Sequence, residues 1–223
     1  MTCSFGGEGR LGLAEQGRTS KDTSAGRYKC SGSWTKVHDP MILAVDGHYQ
    51  ADRAHVAGVA FERWSSAKPQ AVYCNEICRA PAYVPGEFYK RELPGILTLL
   101  QAHDLSPGTI VVDGYVYLDG ASKPGLGKHL YDALDGRTRI IGLAKSPLPG
   151  IGSQHALLRG KSSRPLYVTA AGLGLAHAKA CIVSMHGGHR MPTLLKMADR
   201  ECRRHCGSKE KARPARVLSQ RPW

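Results

Sequence analysis

The order of segments that favour strands and helices limits the folds open to this chain. Three short segments rich in Val, Ile, Phe and Tyr come first, and they predict strands at residues 41–49, 55–64 and 70–77. Helical and strand patterns then alternate, with helices predicted at 87–103, 125–134, 173–186 and 193–205, and strands at 109–117, 139–144 and 165–169. This order predicts an α/β fold in which three antiparallel strands precede parallel strands, with helices on both faces of the mixed sheet.

The two ends of the chain differ in composition from the segment between them. Residues 1–37 are rich in Gly, Ser, Thr and Lys without a sustained period, and they predict a poorly ordered basic leader. Residues 206–223 carry five Lys or Arg against the single Glu210, and they predict a flexible basic tail. One catalytic domain is therefore expected at residues 38–205, a length that can bury a hydrophobic core.

The chain is strongly basic, with a formal net charge of +13 and a sequence pI near 9.6. This charge favours a polyanionic partner such as nucleic acid, although a solvated basic surface with basic tails is the alternative. No apolar run approaches the ~20 residues of a membrane span, and no secretory signal is recognisable. The seven cysteines form no regular framework, which is typical of a reducing compartment. We therefore expect a cytoplasmic protein that does not bind membranes.

Three acidic residues stand where predicted strands end or within the helix between them. Asp46 follows the apolar run of the first strand, Asp113 follows TIVV in a later strand, and Glu92 lies in the helix. Carboxylates that gather without a partner repel one another, whereas a divalent cation reverses that cost. Oxygen ligands favour Mg²⁺, with Mn²⁺ as the alternative, and such an ion suits the hydrolysis of a phosphate ester. Taken singly, the two Asp-Gly pairs are also turn signals, and Glu92 also fits a solvated helix face.

Short motifs across residues 41–200 carry a resemblance to a known family. They are VDGHY (45–49), AGVAF (57–61), YVPGEFYKRE (83–92), VVDG (111–114), GLGKH (125–129), IGLAK (141–145), PLYV (165–168) and HRMPTLLKMAD (189–199). In this order they resemble the endonuclease V family, the deoxyinosine 3′ endonucleases. The resemblance implies a ribonuclease-H-like fold and a Mg²⁺-dependent enzyme of DNA repair that hydrolyses a phosphodiester bond 3′ to inosine. A monomer is expected.

The same resemblance assigns roles to acidic and basic side chains. It implies that Asp46, Glu92 and Asp113 bind the metal ion. Asp199 matches a fourth acidic or histidine position, at the family's distance from Arg190, and Lys145 matches a lysine of the family's active site. An exposed acid on a basic helix and a surface lysine are the alternatives for the last two residues.

Further matches concern the base that such an enzyme takes out of its stack. Tyr83 and Pro85 fall in the family's wedge motif, where an aromatic ring fills the gap left by the base. Gly114 belongs to the VVDG motif, and a pocket for the flipped base is implied for Gly125 and Leu126, with His129 just beyond and its role open. Residues 115–124, YVYLDGASKP, depart from the family's usual pattern, so altered base choice is an open alternative.

Two other functions fit the same residues. An inosine-specific endoribonuclease avoids the cost of unpairing, because its substrate is single-stranded RNA. A non-catalytic relative would bind nucleic acid through its basic residues without cutting it. The expected partner is therefore inosine-containing DNA, single- or double-stranded, or RNA.

Overall fold

The structure, a computed structural model, describes residues 41–50, 53–78, 84 and 86–204. The predicted leader and tail lie outside the described residues, and so do Tyr83 and Pro85. The boundaries predicted for these end segments and for the central domain therefore stay predictions.

The described residues contain seven strands and four α-helices, in the order expected from the sequence except for one unpredicted strand of two residues. The strands are β1 (Ile42–Gln50), β2 (Arg53–Phe61), β3 (Ala71–Cys78), β4 (Thr109–Asp113), β5 (Arg139–Ala144), β6 (Ala156–Leu157) and β7 (Leu166–Ala171). The helices are α1 (Phe88–Ala102), α2 (Leu126–Ala133), α3 (Leu175–Ser184) and α4 (Thr193–Arg203), and a 3₁₀ turn covers Ser153–His155. None of the described helices combines the length and the apolar character needed to cross a bilayer.

All seven strands form one mixed sheet in the order β3-β2-β1-β4-β5-β7-β6. β1, β2 and β3 are antiparallel, and β4 and β5 run parallel to β1. The sequence predicts a parallel strand at 165–169, but β7 runs antiparallel to β5. The chain between them contains only loops, a 3₁₀ turn and the short β6 instead of the helical crossover that a parallel neighbour requires. This architecture confirms the predicted ribonuclease-H-like α/β fold.

Apart from shifts of one to three residues at the ends of elements, two predictions of extent differ from the structure: where β4 ends and whether α1 is continuous. β4 ends at Asp113 and not at residue 117, since Gly114 adopts a φ of +151° and the chain leaves the sheet there. α1 continues through Pro94, where the sequence predicts a break or a new first turn. The carbonyl that Pro94 leaves without a helical donor belongs to Lys90, an exposed residue in the first turns of α1 that water can reach.

The core has two parts, one on each face of the sheet. Alternate residues of β1 divide between them, with Ile42 and Ala44 facing α3 and α4 while Leu43 and Val45 face α1 and α2. α4 contributes one buried stripe, made of Leu194, Leu195, Ala198 and Cys202. Burial of each large apolar side chain stabilises the fold by ~1.5–3 kcal/mol. The two cores therefore fix α1 and α4 on opposite sides of the point where β1 passes the end of β4.

Candidate active site

The parallel pairing of β1 and β4 brings two predicted metal ligands together. Val45 lies opposite Val112 in the register, so the next residues, Asp46 and Asp113, are neighbours at the carboxyl end of β4. Both residues line two clefts, one beside α4 and one beside α1. The polar side chains that line the α4 cleft are Asp46, Asp113, Lys145, Lys196 and Asp199. The α1 cleft is lined by Asp46, Tyr49, Glu92, Asp113 and the apolar Leu126.

Glu92 reaches the same place from α1 and is buried, with 9% of its surface exposed. Burial, and after it the negative charges of Asp46 and Asp113, together raise the pKa of Glu92 from 4.5 to about 8. Burial and the charge of Asp113 likewise raise the pKa of Asp46 to about 6, against the hydrogen bond of 2.8 Å that the Gly47 amide donates to Asp46 Oδ1. Both carboxyls therefore keep their protons to a higher pH than exposed carboxyls do, first because they are buried and second because other negative charges are near.

Lys145 and Asp199 complete the polar lining of the α4 cleft. Lys145 Nζ donates to Asp113 Oδ2 at 2.6 Å. Burial lowers the pKa of Lys145, but this hydrogen bond and the negative charges around it outweigh burial, so the pKa is raised overall. On α4, Asp199 Oδ1 accepts hydrogen bonds from Arg203 at 2.9 and 3.0 Å, which lower the pKa of Asp199. The structure thus gathers all five predicted catalytic side chains around the end of β4.

These side chains have the chemistry of a divalent-cation site. Their donors are carboxylate oxygens, which suit hard cations. The raised pKa values of Asp46 and Glu92 arise from burial and then from neighbouring negative charge, and a bound cation would favour the ionised forms of both groups. Within residues 41–50, 53–78, 84 and 86–204, no three His, Cys, Asp or Glu side chains are arranged to hold a metal ion as they stand. Lys145 instead engages the Asp113 carboxylate. These carboxylate oxygens are donors of the kind that binds a divalent cation. Binding of the cation to Asp113 would rearrange the ion pair between Lys145 and Asp113.

The residues expected to read the base are only partly brought together. Leu126 is buried and lines the α1 cleft with Glu92. Gly114 directly follows Asp113, and its amide donates to Leu143 O at 3.1 Å. Gly125 is the N-cap of α2, where an added Cβ would lie 2.6 Å from Tyr115 O. These positions place backbone next to the carboxylates, whereas the base-reading roles stay predictions.

His129 contacts α1 and lies outside both clefts. Its ring stacks on Tyr89 with 3.6 Å between centroids and 17° between planes. Burial lowers the pKa of His129, which favours the neutral ring at this contact. The histidine therefore joins α1 to α2 and lines neither of the two clefts.

The segment that departs from the family's pattern forms a closed loop. Asp119 Oδ1 accepts the backbone amides of Ala121, Ser122 and Lys123 at 2.9, 2.8 and 3.0 Å. A β-bridge joins Tyr117 to Pro124 at the base of the loop. The loop is fixed to the sheet where Val116 N donates to Thr169 Oγ1 at 2.8 Å. Residues 115–124 thus carry their own hydrogen-bonded structure beside the carboxylates.

Three structural roles in this half of the molecule were not predicted from sequence, those of Lys196, Arg190 and Arg159. Lys196 lines the α4 cleft, and its spacing of three residues from Asp199 on a helix is the signal that points to it. Arg190 Nη2 donates to the backbone carbonyls of Lys145 and Pro165, which ties the turn before α4 to the end of β5. Arg159 is buried and donates to the carbonyls of Ile182, Met185 and His189, a role that no local motif indicates.

Comparison with curated proteins finds endonuclease V sequences, while no protein-family model matches the chain. The chain is 32% identical over 186 residues to endonuclease V of Streptomyces coelicolor, a match that covers 73% of this chain and 77% of that protein. It is 30% identical over 155 residues to endonuclease V of Alkalilimnicola ehrlichii, a match that covers 58% of this chain. The chain spans 66% of the length of the Alkalilimnicola protein, just under two thirds.

Solved structures agree with the sequence comparison. The crystal structure of endonuclease V from Streptomyces avermitilis is similar with a TM-score of 0.59 and 28% identity, over 75% of this chain and 81% of that one. Endonuclease V of Ciona intestinalis, solved with a 24mer DNA containing an inosine followed by a ribo-adenosine, has a TM-score of 0.63 at 20% identity, over 74% of this chain and 84% of that one. At that identity the second likeness shows the fold. With the identity and coverage of the Streptomyces coelicolor match, the chain belongs to the endonuclease V family.

Proposed function

We propose that this chain is a metal-dependent endonuclease that recognises inosine in nucleic acid and hydrolyses the phosphodiester bond on its 3′ side. The observation that carries the proposal is the meeting of Asp46, Asp113 and buried Glu92 at the end of β4 in a member of the endonuclease V family. The expected ion is Mg²⁺, with Mn²⁺ as the alternative, because the donors are hard oxygens. DNA repair is the expected context.

In this proposal the chain's own residues divide the work at the phosphate. Asp46, Glu92 and Asp113 offer carboxylate oxygens to the ion, which when bound supplies positive charge that acidifies a neighbouring water and offsets charge on the phosphate. Lys145 lines the α4 cleft and would bind a phosphate oxygen once it leaves Asp113. Asp199, held ionised by Arg203, is placed to orient a water by accepting its hydrogen bond.

A strand-incision assay tests this function. End-labelled oligonucleotides of DNA or RNA, each with one inosine or with adenosine in its place, are incubated with Mg²⁺, with Mn²⁺ or with EDTA. We expect one product, cut 3′ to inosine, only in the presence of metal. Asp46→Asn and Asp113→Asn should each lower the rate by about 100-fold or more, since an oxygen ligand is lost. Asp135→Asn is the matched control, because this exposed acid lies in the turn before β5, at the opposite end of the parallel strands.

The same assay separates the alternatives. Cleavage of inosine RNA but not inosine DNA would identify an endoribonuclease. This alternative is tested because the DNA in the Ciona complex contains a ribo-adenosine after its inosine. Binding without cleavage of any substrate would identify a non-catalytic relative. Full activity of Asp46→Asn and Asp113→Asn would overturn the proposed roles of these carboxylates.

A further inference from the structure

The α4 cleft contains one cation that no described carboxylate neutralises. Lys145 is paired with Asp113 at 2.6 Å, and Asp199 is paired with Arg203 at 2.9 Å. Lys196 lines the same cleft and is exposed, and within the described part of the chain it has no ion pair. Its charge is therefore available to an anion that enters the cleft.

Lys196 begins a basic row along the exposed side of α4. The row consists of Lys196, Arg200, Arg203 and Arg204, spaced so that they share one side of the helix. Arg200 and Arg204 share the carboxylate of Glu201, and Arg203 is paired with Asp199. The row with these two acids has four positive and two negative groups, so a net charge of +2 remains on this side.

Helix stability does not account for the whole row. Arg200 and Arg203 lie in the last turn of α4, where the helix dipole favours cations. Lys196 lies in the first turn, where the dipole favours anions and a cation is unfavourable. The helix dipole therefore does not explain the charge of Lys196, which lies where an anion that enters the α4 cleft would meet it.

The size and polarity of the row fit a nucleic-acid strand. From residue 196 to residue 204 the helix rises about 12 Å, which equals the axial length of three to four nucleotides in one strand of a duplex. The apolar residues Leu194, Leu195 and Ala198 are buried against the sheet, so this side of α4 offers no apolar face to a membrane.

We propose that Lys196 binds a backbone phosphate of the substrate beside the carboxylates, and that Arg200, Arg203 and Arg204 continue this contact along α4. The proposal rests on the proposed function, because it extends the same site to its polynucleotide. It assigns the row a sequence-independent role, since lysine and arginine contacts to phosphate carry no base information.

Salt-dependent binding of the full chain tests the row without catalysis. The dissociation constant for a fluorescent, inosine-containing single-stranded DNA is measured by anisotropy in EDTA between about 50 and 200 mM salt. Lys196→Gln should reduce the slope of log affinity against log salt by about 0.7, the value for one phosphate contact on a single strand. Arg200→Gln should reduce the slope similarly. Lys196→Arg, which keeps the positive charge, should leave the slope at the parent value. Lys68→Gln is the control, because this exposed lysine lies in the turn between β2 and β3, next to the start of β1.

The outcomes distinguish this inference from the proposed function. Lys196→Gln should keep the parent melting temperature, so an altered slope cannot come from unfolding. Equal slopes for the parent, Lys196→Gln and Lys68→Gln would overturn the inference even if the parent cuts inosine substrates. A lowered slope for Lys196→Gln in a chain that cuts nothing would support phosphate binding by the basic row and refute the proposed nuclease activity. Absence of any DNA binding by the parent in EDTA would overturn the role of the basic row, whereas the incision assay with metal decides the proposed function separately.

Discussion

Replacing Glu92 by Gln is expected to make the metal-free protein more stable at alkaline pH while it removes a proposed metal ligand. The side chain is buried and shares the α1 cleft with Asp46 and Asp113. Its pKa in the folded protein is raised from 4.5 to about 8, first by burial and then by those two charges. Gln keeps the shape of the side chain but cannot ionise, so it avoids the cost of burying a negative charge.

The sign and size of the effect follow from proton linkage. Because the folded protein holds this proton more tightly than the unfolded chain, Glu92 contributes stability that is complete below about pH 4.5 and is lost as the pH rises through about 8. At about 1.4 kcal/mol per pKa unit, the rise from 4.5 to about 8 corresponds to about 5 kcal/mol in all, and about 4 kcal/mol of this is lost between pH 5 and pH 8.5. The parent should lose that stability, and Glu92→Gln should not.

Denaturant unfolding in EDTA at pH 5 and at pH 8.5 measures the difference. We expect the stability of Glu92→Gln relative to the parent to improve by about 4 kcal/mol between the two pH values. The exposed Glu62 supplies the control, and Glu62→Gln should follow the parent at both pH values. Addition of Mg²⁺ at pH 8.5 should stabilise the parent more than Glu92→Gln, because a ligand that binds only the folded state raises its stability. Identical pH dependence of the parent and Glu92→Gln would refute the reasoning.

Three further predictions concern other parts of the molecule. Lys145→Met should reduce incision at least tenfold while the free energy of unfolding changes by no more than about 1 kcal/mol, as measured by denaturant unfolding, because exposed ion pairs contribute little to stability. Asp119→Ala should speed hydrogen exchange at the amides of residues 121–123, which lose their acceptor, and unchanged exchange would contradict the described loop. Leu99→Ala should lower the free energy of unfolding by about 2–5 kcal/mol, since Leu99 is fully buried between α1 and the sheet; a loss below about 1 kcal/mol would count against this packing.

The strand pattern predicted the carboxylate site because strand periodicity and strand ends are local features. The apolar runs before Asp46 and Asp113 end at the residues where the parallel pair of β1 and β4 ends, so a sheet with these two strands adjacent brings the acids together. The resemblance supplied Lys145 and Asp199, which local patterns alone leave as surface residues. The structure places both in the α4 cleft.

What the sequence could not give depends on contacts between distant segments. The contacts of Arg190 with two carbonyls exist only because the turn before α4 meets the ends of β5 and β7. The antiparallel direction of β7 depends on a connection without a helix, which strand patterns do not reveal. The stacking of His129 on Tyr89 likewise arises from the packing of α2 on α1, so the motif match that left the role of this residue open could not reveal the contact.

The loop closed by Asp119 has a consequence for how a substrate would be received. Its amides already have an acceptor and its two ends are already joined, so the entropy of ordering this segment is lost during folding and not at the encounter with a ligand. A receptor surface that is shaped in advance selects ligands by fit and associates without waiting for a closing motion. Under the proposed function, substitutions that reshape this turn would change which base is bound. Lengthening the turn alone would lose the rigidity that the hydrogen bonds of Asp119 provide.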